Sequence, residues 1–297
     1  MSSTSYIVKS RNLELKITVE EVSKLHIHEE IIPDILSWLV EKIKRDGVFK
    51  DPIIVDEKTL VVLDGMHRVA AMQELGYKYI PICLVDYDNP SIGLYTWTRV
   101  VKAGEHTAAY KSAEDAWKSM LEGISALGYR LVSVASEEAG REMLARRELL
   151  ALVVSSKGLA GVKAPVRDIK AIYDGIKRVE LMLANKGFKV EYHTERDGVE
   201  MALKGNAVAV IIPPGITKNE VREVALKGMV FIHKATRHVI PARPLNINVP
   251  LSWLTGELPI DQVKKMLVEH LSKKTIKILP PGTVLDRRYE EELYVFE

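Results

Sequence analysis

The first clear pattern in the chain is an amphipathic segment at residues 33–47, PDILSWLVEKIKRDG. Its apolar side chains recur at intervals of three and four, which places them on one face of a helix. Pro33 suits the first turn, and Gly47 suits the position just past the last turn. The pattern therefore predicts a helix, and its apolar face is formed by Ile35, Leu36, Leu39, Val40 and Ile43.

Short apolar runs follow this helix. Residues 52–56 (PIIVD) and 60–63 (LVVL) are rich in β-branched side chains and flank the turn-like DEKT, so they predict a hairpin. Residues 67–75 combine helix-forming side chains with an apolar stripe and predict a second helix. A strand is predicted at 80–85, which completes an αββαβ unit, and residues 94–103 are expected to close it.

After about residue 105 the pattern changes to longer helices that alternate with apolar strands, which is typical of an α/β domain. The predicted helices lie at 112–127, 166–186 and 218–227, and the predicted strands at 149–154, 188–192 and 207–212. Thr217 and Glu220 have the spacing of a capping box at the start of the last helix. A chain of 297 residues is long enough for about two domains, which we predict at 1–105 and 106–297.

Composition narrows the class of protein. Hydrophobic residues make up 47% of the chain, and 42 Lys+Arg against 40 Asp+Glu leave a formal charge of +2, so a nucleic-acid partner is not expected from charge. No apolar run reaches the roughly 18 residues of a membrane helix, and the N-terminus lacks a signal-peptide core. We therefore expect a cytoplasmic protein with no membrane partner. The single cysteine, Cys83, excludes an internal disulfide and a cysteine-based zinc site.

The most informative local feature is the run Asp64-Gly65-Met66-His67-Arg68, where a strand is expected to end and a helix to begin. Glycine permits a tight turn there, and the first turn of a helix presents unpaired N–H groups that favour an anion. His67 and Arg68 would add donors to phosphate oxygens. The same five residues also fit an ordinary Asp-Gly turn before a polar helix start, so both interpretations stay open at this point.

A second feature is His28-Glu29-Glu30, just before the first predicted helix. A carboxylate there could take a proton from a hydroxyl nucleophile or hold a divalent cation. Acidic residues also occur before helices because they complement the positive end of the helix. The local sequence favours this structural interpretation.

Two further clusters combine hydroxyl and cationic side chains. Residues 95–99 (YTWTR) could bind a small zwitterion, with Arg99 or the hydroxyls meeting its carboxylate, but they fit a half-buried strand better. Residues 234–238 (KATRH) lie between apolar runs and suit a polyphosphate or an anionic substrate. A solvated loop would look similar.

Taken in order, the HEE motif, the first helix and the segment PIIVDEKTLVVLDGMHRVAAMQELGYKYIPICLVDY resemble the fold shared by ParB N-terminal domains and sulfiredoxin. Within that superfamily the pattern is similar to the free L-serine kinases, both the archaeal ADP-dependent type and the serine kinase of staphylococcal siderophore biosynthesis. TWTR at 96–99 and KATRHVIPARPLNINVPL at 234–251 extend the resemblance over most of the chain. The implied fold class is α/β (α+β), with a ParB/sulfiredoxin-like N-terminal domain, a C-terminal α/β domain and an active site in the cleft between them.

The resemblance implies a role for each cluster. The implied nucleotide-binding residues are Asp64, Gly65, Met66, His67 and Arg68, together with Thr236, Arg237 and His238 from the second domain. The implied serine-binding residues are Trp97, Thr98, Arg99 and Glu30. Glu29, matched to the HE pair, would be the base that activates the serine hydroxyl, and Asp64 would orient a Mg²⁺ ion or the nucleophile. The archaeal pattern has histidine where Met66 stands, and methionine cannot donate a hydrogen bond to phosphate.

The implied reaction transfers a phosphoryl group from ADP, in preference to ATP, to the hydroxyl of L-serine. The products would be O-phospho-L-serine and AMP, which would serve cysteine or other phosphoserine-consuming synthesis. A different small alcohol as the acceptor stays open, because the substrate pocket is implied only by resemblance.

Two alternatives belong to other functional classes. A ParB-like, nucleotide-binding and DNA-associated regulator should show a GERR-like turn and a helix-turn-helix with a basic face, and neither is evident here. A sulfiredoxin-type reductase needs a nucleophilic cysteine where Met66 stands. Cys83 lies instead in an apolar strand, where a thiol is usually inert.

Overall fold

The computed structural model of the chain describes residues 4–10, 13–104, 110 and 112–297. It confirms the mixed α/β class expected from the sequence. The helices are α1 (Pro33–Asp46), α2 (Met66–Glu74), α3 (Ala113–Ala126), α4 (Glu137–Ala145), α5 (Ile169–Asn185), α6 (Glu195–Leu203), α7 (Lys218–Leu226) and α8 (Ile260–Ser272). The strands are β1 (Tyr6–Lys9), β2 (Glu14–Glu21), β3 (Val48–Phe49), β4 (Ile53–Asp56), β5 (Val62–Asp64), β6 (Tyr79–Val85), β7 (Gly93–Tyr95), β8 (Thr98–Ala103), β9 (Leu131–Val132), β10 (Leu149–Ser155), β11 (Gly158–Lys163), β12 (Phe188–His193), β13 (Ala209–Ile212), β14 (Arg237–Val239), β15 (Arg243–Leu245), β16 (Val249–Pro250), β17 (Ile276–Leu279) and β18 (Leu293–Phe296).

The described residues form two compact units from segments that alternate along the sequence. The first unit contains the residues up to Leu94, Val221–His233 and His238–Glu297, and the second contains Tyr95–Glu220 and Lys234–Arg237. This grouping differs from a single boundary near residue 105, because the C-terminal segment returns to the N-terminal one and packs α8 against β1 and β2. The functional division at 1–105 and 106–297 stays a prediction.

A five-stranded sheet in the order β1-β2-β6-β4-β5 forms the core of the first unit. Neighbouring strands are antiparallel except β4 and β6, which are parallel. In the central strand β6, Cys83 lies opposite Ile17 on one side and Ile54 on the other. The predicted β4–β5 hairpin is confirmed, and Asp64 lies at the end of β5 opposite Ile54.

Helix α1 confirms the predicted amphipathic segment. It ends at Gly47, whose φ of 66° is the left-handed conformation that favours glycine, and the Gly47 N–H donates to the Ile43 carbonyl at 3.1 Å. Val40 and Ile43 are buried, and α1 packs against α2. Ile35 is 41% exposed, so the apolar face is only partly covered at the start of the helix.

The second unit contains a six-stranded sheet in the order β12-β8-β13-β10-β11-β9, with antiparallel pairing throughout. The expectation that residues 94–103 close the first domain is wrong, because β8 pairs with both β12 and β13 in this sheet. Val100 and Val101 are adjacent and both buried, as in a strand that is covered on both faces.

The start of α7 confirms the predicted capping box. The Thr217 N–H donates to Glu220 Oε2 at 2.7 Å, and the Glu220 N–H donates to Thr217 Oγ1 at 3.2 Å.

In the first unit, β18 pairs with β15 and β17, and β16 pairs with β3. In the described part of the chain, no helix is both long enough and apolar enough to cross a membrane.

Candidate active site

The predicted phosphate turn lies between the end of β5 and the start of α2. Gly65 is the N-cap of α2 and has a φ of 99°. A Cβ atom there would lie 2.7 Å from Ile53 Cγ2 and 2.8 Å from Arg68 Nη2, so the turn has room only for glycine. Because glycine offers no capping side chain, the first N–H groups of α2, which begins at Met66, form the kind of surface that binds anions in proteins.

Asp64 is held by two guanidinium groups. Arg68 Nη2 donates to Asp64 Oδ2 at 2.8 Å, and Arg243 Nη1 donates to the same oxygen at 2.9 Å. Arg243 is buried and also donates through Nε to Glu291 Oε1 at 2.6 Å. Burial alone would raise the pKa of Asp64, but the charges of Arg243, Arg68 and Arg287 outweigh it and hold the pKa of this carboxyl well below its usual range.

A second nitrogen of the Arg68 guanidinium is bonded to the backbone. Its Nη1 donates to the carbonyls of Asp51 at 2.6 Å and Pro52 at 3.0 Å. These bonds tie the first turn of α2 to the residues before β4. Arg68 therefore supports the shape of the turn in addition to carrying a positive charge beside it.

His67 connects the turn to helix α1. Its Nε2 accepts a hydrogen bond from the backbone N–H of Ile32 at 2.9 Å, and Ile32 is the N-cap of α1. In the neutral ring the proton is therefore on Nδ1, since a nitrogen that accepts cannot also carry a proton. His67 can donate through one ring nitrogen only.

Glu29 lies on a segment that its neighbours fix to Phe231 and to β5. The Glu30 N–H donates to the Phe231 carbonyl at 2.9 Å, and the Phe231 N–H donates to the His28 carbonyl at 2.8 Å. His28 is fully buried, and its Nδ1 donates to the carbonyl of Val62 at 2.7 Å. Its Nε2 lies 4.0 Å from Glu29 Oε1. Burial lowers the pKa of His28 despite the nearby carboxylate, so the ring is neutral.

Glu29 itself is only 5% exposed, whereas Glu30 is half-buried. The Val62 carbonyl that fixes His28 belongs to the same strand as Asp64. In the first unit, the segment that carries the HE pair is therefore bonded to β5 through His28 and to the first turn of α2 through Ile32.

His238 joins this group in the first unit. Its Nε2 and the hydroxyl of Tyr87 are 2.7 Å apart, and its ring meets the ring of His28 edge-on with centroids 5.6 Å apart. Tyr87 is fully buried, with the guanidinium of Arg222 5.1 Å above its ring. Arg222 is in turn fixed by Asp56 Oδ2 at 2.8 Å.

Arg99 and Thr98 are interior residues of the second unit. Arg99 is fully buried and donates through Nε to Glu180 Oε1 at 2.6 Å and through Nη1 to the Trp97 carbonyl at 2.7 Å. Thr98 is also fully buried, and its hydroxyl donates to the His193 carbonyl at 3.0 Å. Arg99 is thus bonded to helix α5 and to the residue before β8, Thr98 is bonded to β12, and Arg99 Nη2 is buried without a hydrogen-bond partner among the described residues.

Trp97 belongs to a cluster of cations and aromatic rings, also in the second unit. The guanidinium of Arg237 lies 4.7 Å above the ring of Tyr95 and 5.6 Å from that of Trp97. Lys234 Nζ lies 5.3 Å from the ring of Trp97. Thr236 is buried between the two cationic residues in sequence. Residues from two separate predicted clusters, 95–99 and 234–238, thus meet here.

Sequence reasoning did not identify several of these residues, among them Arg243, Tyr87 and Glu291. Arg243 stands in the apolar run VIPARPL, and a lone arginine in such a run is a usable signal of a buried, paired charge. Tyr87 and Glu291 carry no comparable signal, because a tyrosine after a strand and a glutamate in an acidic run are both common.

In sequence, the chain is similar to kinases that act on L-serine. No protein-family model matches the chain. An ATP-dependent L-serine kinase of Staphylothermus marinus is 32% identical over 247 residues, which cover 79% of this chain and 89% of the relative. An ADP-dependent L-serine kinase of Thermococcus kodakarensis is 27% identical over 240 residues, covering 79% of this chain and 91% of the relative.

The fold agrees with a solved structure of the same kind of protein. A free serine kinase in complex with AMP, solved as a glutamate-to-glutamine variant, superposes with a TM-score of 0.65 at 25% identity. The match covers 80% of this chain and 93% of that one. This similarity confirms the α/β (α+β) fold class that the sequence resemblance implies.

Proposed function

The chain belongs to the family of L-serine kinases, phosphotransferases that act on an alcohol group, and on this premise we propose that it transfers a phosphoryl group from an adenine nucleotide to the hydroxyl of L-serine. The observation that supports the proposal is a buried Glu29 on a segment that is bonded to β5 through His28 and the Val62 carbonyl and to the first turn of α2 through Ile32 and His67. A carboxylate and an anion-binding helix end are the two parts that this reaction needs.

In the proposed reaction the serine hydroxyl oxygen forms a bond to the terminal phosphorus of the nucleotide. The bond between that phosphorus and its bridging oxygen breaks, and the shortened nucleotide leaves with the electron pair. Glu29 accepts the hydroxyl proton as the new bond forms. The first N–H groups of α2 and the charge of Arg68 stabilise the phosphate oxygens.

The remaining residues of the proposal keep the roles implied by the resemblance. The proposed contacts of serine are Trp97, Thr98, Arg99 and Glu30. The proposed contacts of the nucleotide, besides the turn from Asp64 to Arg68, are Thr236, Arg237 and His238. Arg99 has the least support as a serine contact, because its side chain is fully buried and its Nε and Nη1 are bonded to Glu180 and to a backbone carbonyl. Its proposed contribution is to fix the backbone of Trp97.

Mg²⁺ fits the site only together with the nucleotide. No group of three or more His, Cys, Asp or Glu side chains among the described residues could hold a metal ion. Asp64 Oδ2 is taken by two arginines, which leaves Oδ1 as the carboxylate oxygen for a metal. One carboxylate plus phosphate oxygens is a common set of ligands for Mg²⁺ in kinases, and a bound ion would neutralise phosphate charge.

The nature of the donor is a separate part of the proposal. The sequence resemblance favours ADP, whereas the 32% identical relative is ATP-dependent and the 27% identical relative is ADP-dependent. The higher identity favours ATP, so we carry ATP and ADP as competing donors into one assay.

The test is mass spectrometry of the purified protein with Mg²⁺, L-serine and either ADP or ATP. Phosphoserine with AMP identifies ADP as the donor, and phosphoserine with ADP from the ATP reaction identifies ATP. A protein that binds nucleotide but forms no phosphoserine in either reaction would overturn the proposal. In that case the same samples would be tested for another acceptor alcohol and for salt-dependent DNA binding, as a ParB-like regulator requires.

A further inference from the structure

The hydroxyl of Tyr87 has no part in the proposed reaction, but it contacts a residue that does. Tyr87 follows β6 and is fully buried, and its hydroxyl oxygen lies 2.7 Å from Nε2 of His238. The ring of His28 also meets the ring of His238 edge-on, with centroids 5.6 Å apart. Both contacts are with buried side chains of the first unit, so they restrict the orientation of the His238 ring.

A group of charged side chains fixes Tyr87 from one face of its ring. The guanidinium of Arg222 lies 5.1 Å from the ring centroid. Arg222 Nε donates to Asp56 Oδ2 at 2.8 Å, and Arg222 Nη1 donates to Asp88 Oδ1 at 2.7 Å. Asp56 is fully buried and also accepts from the Thr59 hydroxyl at 2.6 Å. Because the guanidinium is bonded to two carboxylates, the tyrosine ring against it is held in one place.

The acidity of the two groups indicates which of them donates. Burial raises the pKa of Tyr87, so its hydroxyl keeps its proton near neutrality. The ordinary pKa of a phenol is about 10 and that of an imidazolium about 6.5, so the phenol is a good donor and the neutral imidazole nitrogen a good acceptor. These properties favour a hydrogen bond from the Tyr87 hydroxyl to His238 Nε2. In the neutral ring the proton then belongs to Nδ1.

We propose that Tyr87 is a positioning residue, whose hydroxyl fixes the orientation of the His238 imidazole and keeps the imidazole proton on Nδ1. This inference rests on the proposed function, in which His238 contacts the nucleotide. Tyr87 itself touches neither substrate. A ring that is oriented before the nucleotide arrives loses less conformational freedom on binding, so nucleotide affinity should depend on the tyrosine hydroxyl.

The experiment compares the Kd of ADP and ATP, measured by calorimetry, for the wild type and Tyr87→Phe. This substitution keeps the ring against Arg222 and removes only the hydroxyl. We expect both nucleotides to bind about fivefold to tenfold more weakly, as for the loss of one hydrogen bond. Tyr79→Phe is the matched control, because Tyr79 is also buried in the first unit and its hydroxyl donates to the Leu258 carbonyl at 3.2 Å. This control should bind both nucleotides as the wild type does.

Two further measurements distinguish positioning from a purely structural role. Nitrogen-15 NMR of histidine-labelled protein, with His238 assigned by the loss of its signals in His238→Gln, should show the proton on Nδ1 in the wild type. The same spectrum of Tyr87→Phe should show a mixture of the two tautomers. In a His238→Gln background, Tyr87→Phe should weaken nucleotide binding no further, because both residues act through one contact.

Four results would overturn the inference. These are wild-type affinities in Tyr87→Phe, an equal loss of affinity in Tyr79→Phe, a full additional loss in the His238→Gln background, and a proton on Nε2 of His238 in the wild type. Failure of the proposed function is seen separately. It shows as absence of phosphoserine from a wild-type protein whose nucleotide affinity still depends on Tyr87 through His238.

Discussion

Arg243 Nη1 donates to Asp64 Oδ2 at 2.9 Å, although the two residues are 179 positions apart in the sequence. The arginine is buried and also bonds Glu291, so one side chain connects the phosphate turn with the C-terminal segment. A buried cation between two carboxylates is favourable only while the ion pairs are present. The attraction between the charges then offsets the cost of removing each of them from water.

Removing the cation should therefore be costly. We expect Arg243→Met to lower the free energy of unfolding by about 3–5 kcal/mol, since it leaves the buried Glu291 without a partner. Adding Glu291→Gln to this variant should recover part of the loss, because the uncompensated charge is then gone. Urea denaturation at pH 7 measures the free energy of unfolding of each variant. If the loss in the double variant equals the sum of the losses in the two single variants, Arg243 and Glu291 are not coupled.

We expect the two glutamates of the HEE motif, Glu29 and Glu30, to have different functions. Glu29→Gln keeps the size and burial of the side chain but removes its basicity, so kcat should fall about 10²-fold or more with the nucleotide Kd unchanged. Glu30→Gln is the matched control and should affect KM for serine more than kcat. The pair is compared by steady-state kinetics, and a larger loss of kcat in Glu30→Gln would transfer the role of base to that residue.

Gly65→Ala should destabilise the phosphate turn more than the strain of a positive φ alone would. An alanine at φ 99° is strained, and its Cβ would also press on Ile53 and Arg68. Gly47→Ala is the control, because Gly47 has a φ of 66° and a Cβ added there would have nothing within 4 Å. Thermal unfolding should show a clear loss for Gly65→Ala and about 1 kcal/mol for Gly47→Ala, and only Gly65→Ala should weaken ADP binding.

Acid should weaken the fold through Asp64. Because the pKa of Asp64 is lowered in the folded protein, its ion pairs add stability at pH values above the unfolded pKa of about 4. That contribution is lost as the pH falls from there through the lower folded pKa. Urea denaturation measures the free energy of unfolding at pH 7 and at pH 3. The difference between the two values should be smaller for Asp64→Asn than for the wild type, and an equal difference would show that Asp64 does not cause the loss of stability in acid.

The thiol of Cys83 should report unfolding and take no part in chemistry. Burial raises the pKa of Cys83, and the residue lies in the central strand between β2 and β4. A thiol reagent such as DTNB should leave the native protein unmodified and titrate one group after denaturation. Rapid labelling of the native protein would contradict this prediction and would indicate a reactive cysteine.

Local elements were predictable because their signals are local. The α1 helix, the β4–β5 hairpin and the α7 capping box each depend on neighbouring residues, and all three are confirmed. Strand β2 carries a signal of the same kind, since Leu15, Ile17 and Val19 alternate with polar residues and are all fully buried.

Long-range pairings were not predictable in this way. Nothing near Thr98 in the sequence shows that β8 joins β12 and β13, and the alternation between the two units depends on these pairings. The candidate site has the same limit. Its motifs at residues 28–30 and 64–68 are visible in the sequence, whereas the bonds of Arg243 join residues that are distant along the chain.

The hydrogen bond from the Ile32 N–H to His67 has a consequence for how the turn keeps its charge. While Nε2 accepts that bond, the imidazole stays neutral, because protonation would place two donors against each other. The positive charge beside the start of α2 is then supplied by arginines, whose guanidinium groups do not titrate near neutrality. The part of the charge that comes from arginines is therefore the same in mildly acidic and in mildly alkaline surroundings, and His67 serves as a hydrogen-bonding connection between α1 and α2.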